Sequence, residues 1–236
     1  MKATLIDSMG SDLTVVNAAR VSFNKESDWD SKCTQGHDLC STSYGFLSCP
    51  LCETSLSEQD TKLIHYLARN GHWTPFGHPQ VTIHEKVPIF VARQRFKHMV
   101  GFVYNEVSRR YVDEEPEFFY PEEWRGRPKN AKQGSEGVVE GPFHGLYTES
   151  VYDHFEDSQV LYENMINAGV APEMARMVLP QAMYTEYYVT GSLAAWSRAY
   201  KQRIDPHAQK EIQGLAEQWG QLIEPLFPVS WKALTE

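Results

Sequence analysis

The sequence predicts an α+β fold, a mixed or antiparallel sheet packed with helices, and two observations carry that prediction. Period-two alternation, as at Val81 and Ile83, occurs beside helix-type spacing such as Leu63, Ile64 and Leu67, so both element types are present. The two types do not alternate in regular βαβ units, which argues against a doubly wound parallel sheet. With 236 residues, 42% hydrophobic and 22% charged, the chain can bury a full core. It reads as a single domain over residues 1–236, with an inserted Cys-rich loop at about 25–57.

In chain order, Ala3 to Ile6 reads as a short strand and Leu13 to Ser22 as a short helix. Residues 24–57 are rich in Ser, Asp, Lys, Cys and Gly with little periodicity, the texture of an insertion. Ser57 can cap a helix with Asp60 three residues on, and the apolar face then runs to Gly71. Gln80 to Glu85 reads as a half-buried strand. Pro88 opens a helix carrying Arg93, Gln94, Lys97 and His98, with Arg93/Lys97 and Gln94/His98 each sharing a face. Residues 125–142 form a polar loop, and Tyr147 to Met165 a long amphipathic helix ending near Gly169. Pro172 starts another helix that Pro180 stops. Tyr184 to Val189 reads as a strand, and Ser192 to Arg203 and Pro206 to Glu224 as two helices.

Charge is unevenly spread. The formal net charge is −9, yet Arg93 to Val112 holds Arg93, Arg95, Lys97, Arg109 and Arg110 against Glu106 alone. An acidic surface repels nucleic acid and anionic membrane, so neither is expected as a partner, and a local basic cluster matches a small anion such as a phosphate. The apolar run Val87 to Ala92 is far short of a membrane span, and the N-terminus lacks an apolar signal core, so a cytoplasmic protein is expected. The cations are interleaved with Phe96, Phe102, Val103 and Tyr104, and polar groups in an apolar setting must find partners, here a ligand or a subunit interface.

Five blocks carry a family resemblance. They are His72-Trp-Thr-Pro-Phe-Gly-His78, Pro88 to Gln94, Lys97-His98-Met99 leading to Tyr104-Asn-Glu-Val-Ser-Arg-Arg-Tyr111, Ala175-Arg-Met-Val-Leu-Pro180, and Arg203-Ile-Asp-Pro-His-Ala-Gln209. In this order they resemble the signature of the flavin-dependent thymidylate synthases, the ThyX family. The resemblance implies a ThyX-like α+β fold and methylation of dUMP to dTMP. The carbon would come from methylenetetrahydrofolate and the hydride from FAD reduced by NADPH, in a homotetramer whose active sites are shared between subunits.

By position the resemblance implies a dUMP shell of Gln94, Glu106, Ser108, Arg109, Arg110, Arg176 and Arg203, with Ser108 and Arg110 serving a neighbouring subunit's site. Arg203 is the catalytic expectation, a fixed cation against the uracil ring that raises electron density at the carbon to be alkylated. His72, Thr74, Lys97, His98, Met99, Ser192 and Arg198 are expected at FAD. The chain departs from the pattern where Lys97 and Met99 replace arginines, Gly77 replaces a glutamate, Ser192 and Ala194 stand for Asn and Arg, and one residue is added before Ser108. Arg198, one turn beyond Ala194, is the expected substitute phosphate contact.

All four cysteines, Cys33, Cys40, Cys49 and Cys52, fall within twenty residues and end in Cys-Pro-Leu-Cys. A structural zinc is the expected use, with His37 able to replace one thiolate; free thiols in a loop are the plain alternative. Two other readings compete with the enzyme. One is a zinc-bearing nucleic-acid-binding module using residues 33–52 and 93–110 as one basic surface; the other is a flavin or nucleotide binder without catalysis.

Overall fold

The computed structural model describes residues 1–33, 52–112, 114–129, 134–141 and 143–236. The first part of the chain runs β1 (Lys2–Met9), α1 (Asp12–Arg20), β2 (Asp30–Cys33), β3 (Cys52–Ser55), α2 (Glu58–Arg69), β4 (Gln80–Pro88), α3 (Ile89–Arg95) and β5 (Phe102–Glu106). Then come β6 (Arg125–Gly126), β7 (Glu136–Val138), α4 (Phe143–Asn167), α5 (Pro172–Ala175), β8 (Tyr184–Ser192), α6 (Leu193–Arg203), α7 (Lys210–Ile223) and α8 (Pro228–Thr235).

The main sheet has the order β1-β4-β8-β5, and every pair in it is antiparallel. In β4, Val81, Ile83, Glu85 and Val87 are buried while Gln80, Thr82, His84 and Lys86 are only partly covered, the pleat's own alternation, and Pro88 at the end is buried too. β8 repeats it with Thr185, Tyr187, Val189 and Gly191. The buried face packs against Trp196 of α6, Leu215 and Trp219 of α7, Val15 and Val16 of α1 and Ile64 of α2 in one continuous core. Gly191 permits the β5–β8 approach, because a Cβ there would lie 2.3 Å from the Phe102 ring.

Local signals place several elements as expected. The Ser57 hydroxyl accepts the Asp60 amide at 3.1 Å and so caps α2. The extension of the first expected strand to Met9, with a bulge between Leu5 and Asp7, and of the last from Val189 to Ser192 comes from pairing against the long β4. α8 was not foreseen. Its first amides, of Val229 and Ser230, donate at 2.9 Å to the two carboxylate oxygens of Asp12, so a residue from α1 caps it from the far end of the chain.

One correction bears directly on function. α3 stops at Arg95, so Lys97 and His98 are not helical, and the expected shared faces with Arg93 and Gln94 do not form. Instead the Lys97 and His98 amides make tight bonds to the carbonyls of Gln94 (3.3 Å) and Arg95 (3.1 Å), unwinding the helix into a turn that enters β5. The insertion is an antiparallel hairpin at its base, with Cys33 opposite Cys52 in the β2–β3 register. Cys40 and Cys49 lie outside the described residues, as does His37. Among the described residues no helix is long and apolar enough to cross a membrane.

Candidate active site

The turn between α3 and β5 is the anchor of the site. Gly101 has φ +81°, and a Cβ on it would lie 2.9 Å from that of Ala195, so only glycine lets the turn press against the start of α6. The Ser192 amide donates to the Gly101 carbonyl at 3.2 Å, and the Arg198 guanidinium donates to the Val100 carbonyl. This contact turns His98 inward to 8% exposure and leaves Lys97 and Met99 outside.

Arg203, the last residue of α6, meets that turn. Its Nε–H donates to His98 Nε2 at 2.8 Å and its Nη2 to the Gln94 carbonyl at 3.1 Å. Since Nε2 accepts, a neutral His98 carries its proton on Nδ1. Burial, with the charges of Arg203, Arg95 and Arg198, pushes the His98 pKa down to about 4, so the ring is neutral at neutral pH. Burial and Arg95 also lower the pKa of Arg203. The Gln94 side chain donates to Gln209 Oε1 at 2.5 Å. Gln209 is the N-cap of α7, after an Asp205 side chain that accepts the His207 amide at 2.8 Å and helps separate the last two expected helices at a turn. Thus Gln94, His98, Arg203 and Gln209, from three segments, form one hydrogen-bonded cluster.

Arg95 has a different fate from the other bases of the cationic segment. It is fully buried and ion-paired at 3.3 Å with equally buried Glu85, whose other oxygen accepts the Tyr187 hydroxyl at 2.6 Å. Its guanidinium lies 4.5–4.8 Å from the ring centroids of Phe102, Trp196 and Trp219. The segment is therefore not a uniform basic surface. A signal for this was present in the sequence: Glu85 stands two residues after Ile83, on the same buried face, and a buried carboxylate demands a cation.

The remaining expected dUMP residues have other partners. Arg110 pairs with Glu173 at 3.4 Å, both half exposed, and Arg176 donates to the Glu173 carbonyl at 3.3 Å. Arg109 donates to the carbonyls of Glu114 and Glu115, while Ser108 Oγ accepts the Arg110 amide at 3.3 Å. Glu106 accepts the Thr185 hydroxyl at 2.7 Å. Among the described residues no hydrogen bond or ion pair links Ser108, Arg109, Arg110 or Arg176 to the Gln94–His98–Arg203 cluster.

A cleft of about 480 Å³ opens beside Gln209, lined among others by Phe90, Phe119, Trp124, Arg125 and Glu211. Arg125 donates to Glu211, which is 8% exposed; burial raises the pKa of that acid, and hydrogen bonds from Arg125, its own amide and Gln209 outweigh it, leaving the carboxylate favoured. The sequence reading missed this wall, because Arg125 sits in a polar loop and its partner lies far along the chain.

Of the expected flavin positions, His72, Thr74, Lys97, Met99 and Arg198 are exposed, Ser192 is partly covered and His98 is buried. Pro75 and Phe76 are the buried residues of the turn Thr74–Gly77, and the Leu193 amide donates to the Pro79 carbonyl at 3.0 Å, bringing this turn to the start of α6. Ser192 caps α6 by accepting the Ala195 amide at 3.3 Å. Lys97 has no carboxylate partner among the described residues, and exposed Trp73 and Met99 present apolar surface. His72 is exposed, 6.0 Å from the Tyr66 ring. A free ammonium, Arg198 and flat apolar surface fit a phosphorylated aromatic group. Among the described residues no cluster of three or more metal-ligating side chains occurs.

Fold and site together define an α+β protein with a cation-lined site in which one guanidinium is fixed by a neutral histidine. Residues 4–229 match the family model described as "Thymidylate synthase complementing protein". The chain is 36% identical over 212 residues to the flavin-dependent thymidylate synthase of Thermosipho melanesiensis, covering 90% of this chain and 80% of that relative. It is 34% identical over 232 residues to that of Thermus thermophilus, covering 98% and 74%. A crystal structure of a UMP/dUMP methylase PolB from Streptomyces cacaoi bound with 5-Br UMP matches at TM-score 0.78 and 28% identity, covering 99% of this chain and 93% of that one. The chain belongs to the flavin-dependent thymidylate synthase family, and it is an enzyme of the methyltransferase type.

Proposed function

We propose that the enzyme converts dUMP to dTMP in the cytoplasm, with methylenetetrahydrofolate as carbon donor and NADPH as reductant of FAD. The observation that carries this reading is the junction of Arg203 with His98 and Gln94. It joins, within hydrogen-bond distance, a flavin-side residue and a dUMP-side residue 105 and 109 positions away from Arg203. FAD would supply the hydride chemistry when bound. Lys97, Arg198, Ser192, His72, Thr74, His98 and Met99 would hold it, Arg198 offsetting the charge lost at Met99 and Ala194.

The protein's own part is position and charge. Arginine keeps its proton in proteins, neutral His98 fixes Arg203 in place by accepting its Nε–H, and the fixed charge would stabilise negative charge on the uracil ring as it develops. Gln94 and Gln209 would orient the nucleotide. Ser108, Arg109, Arg110 and Arg176, with Glu106, would reach a neighbouring subunit's dUMP in a homotetramer, the guanidinium forks meeting phosphate. That none of Ser108, Arg109, Arg110 and Arg176 shares a hydrogen bond or ion pair with Arg203 among the described residues supports that division. We also propose a structural zinc at Cys33, Cys40, Cys49 and Cys52; the Cys33–Cys52 pairing across the hairpin supports it.

The test uses purified protein. It should show flavin absorption, contain about one zinc per chain if all four thiolates bind it, and release tritium from dUMP labelled at C5 when given NADPH and the folate. Colourless protein that binds no added FAD and releases no tritium contradicts the reading, and a zinc-free folded chain contradicts the metal assignment alone.

A further inference from the structure

Arg95 is a fully buried charge for which the proposed chemistry has no use, and its partners lead out of the core toward the site. Its Nη1 donates to the Tyr104 hydroxyl at 2.7 Å. That hydroxyl donates in turn to the His98 carbonyl at 2.6 Å, with a longer contact to the Arg95 carbonyl at 3.4 Å. The direction is forced, since a guanidinium can only donate and a carbonyl can only accept. His98 then accepts from Arg203.

We propose that Arg95 and Tyr104 are positioning residues, the buried end of a hydrogen-bonded relay, Glu85–Arg95–Tyr104–His98–Arg203, that sets where the Arg203 guanidinium stands. Glu85 and the rings of Phe102, Trp196 and Trp219 immobilise Arg95; Tyr104 transmits that rigidity to the His98 backbone; the His98 ring holds Arg203. Tyr104 is half-buried and stays protonated, its pKa pushed up to about 12 by burial, so it always has a proton to donate. A buried ion pair is a costly way to fill space, and apolar residues would pack as well. Packing alone also leaves unexplained why the one phenol touching Arg95's Nη1 points its proton at the turn carrying His98.

The inference rests on the role given to Arg203, so the experiment separates the two. Tyr104→Phe, Arg95→Lys, His98→Gln and Arg203→Ala are made in the full-length protein, alone and with the first two each combined with His98→Gln. Thermal midpoint, FAD loading, kcat and KM for dUMP are measured on each. Tyr104→Phe and Arg95→Lys should lower kcat by roughly tenfold to a hundredfold, the scale of a small displacement of a catalytic group. KM for dUMP and FAD loading should stay near parental values, and neither change should lower kcat further once His98 is Gln. If Tyr104→Phe does not fold, Arg95→Lys, which keeps the cation opposite Glu85, carries the test. Parental kcat in a folded variant, or losses that add in full to that of His98→Gln, overturns the relay. Parental kcat in Arg203→Ala overturns the reading of Arg203 instead.

Discussion

The inner end of the cationic segment, Arg93 to His98, and its outer end, Ser108 to Arg110, carry similar side chains into opposite surroundings. At the inner end Arg95 is sealed in the core against Glu85, and His98 is folded inward onto Arg203. At the outer end Arg110 is half exposed beside Glu173, and Arg109 is spent on the carbonyls of its own loop. Identical guanidinium groups thus serve as a core strut, a candidate catalytic charge and a surface contact, and burial decides among these roles. The difference also says where substitutions should hurt folding and where they should hurt only binding.

The largest effect is expected at the core strut. Glu85→Ala leaves Arg95 a buried cation without its carboxylate and should cost about 3–5 kcal/mol, read by chemical denaturation; a loss under about 1 kcal/mol would erase the contrast between the two ends. Arg203→Ala should lower kcat by about 10²–10³-fold with FAD still bound, the scale of one lost electrostatic stabiliser. Steady-state kinetics with a flavin spectrum checks it.

Acidification sharpens the comparison next. His98 faces Arg203 and Arg198 from α6 and Arg95 from α3, and its folded pKa lies near 4 against 6.5 for an ordinary histidine. The folded state therefore binds fewer protons than the unfolded state between those values, so this contribution is intact above pH 6.5 and is lost as pH falls toward 4. The loss attributable to His98 is at most about 3 kcal/mol. Denaturation as a function of pH should show a drop that is smaller in His98→Gln; an identical drop in both proteins counts against a buried neutral ring. The outer end gives the smallest effect on folding. Arg110→Ala should raise KM for dUMP about tenfold or more through a lost charge-assisted contact while moving stability by less than about 0.5 kcal/mol.

What the sequence revealed of this contrast follows the range of the forces involved. β4, β8, the Ser57 cap and the Pro172 helix start were legible because alternation, capping and proline act locally. The end of α3 was not, because Gly101 meeting α6 decides it, a contact about ninety positions apart. β5 carries alternation at Phe102 and Tyr104, but the surrounding charges drew the reading toward a ligand or a subunit interface and no strand was assigned. Pro228 in the first turn of α8 was a usable signal; its cap, Asp12, was beyond local reach. The site blocks were recognisable as a set, and the resemblance already assigned Ser108 and Arg110 to a neighbouring subunit's site; that Arg110 and Arg176 meet at Glu173 needed three dimensions.

The central claim is that the Arg203 group and the Arg110 and Arg176 group complete one site only across subunits. Arg203→Ala protein and an Arg110→Ala/Arg176→Ala double variant, each expected to assemble as the proposed tetramer, are prepared, assayed at dUMP far below the parental KM, then dissociated, mixed in equal amounts and reassembled. Shared sites would restore about a quarter of the parental rate by random assembly, because that fraction of sites would draw both groups from unmutated chains. A mixture no more active than its two components, although hybrid tetramers form, would contradict the account.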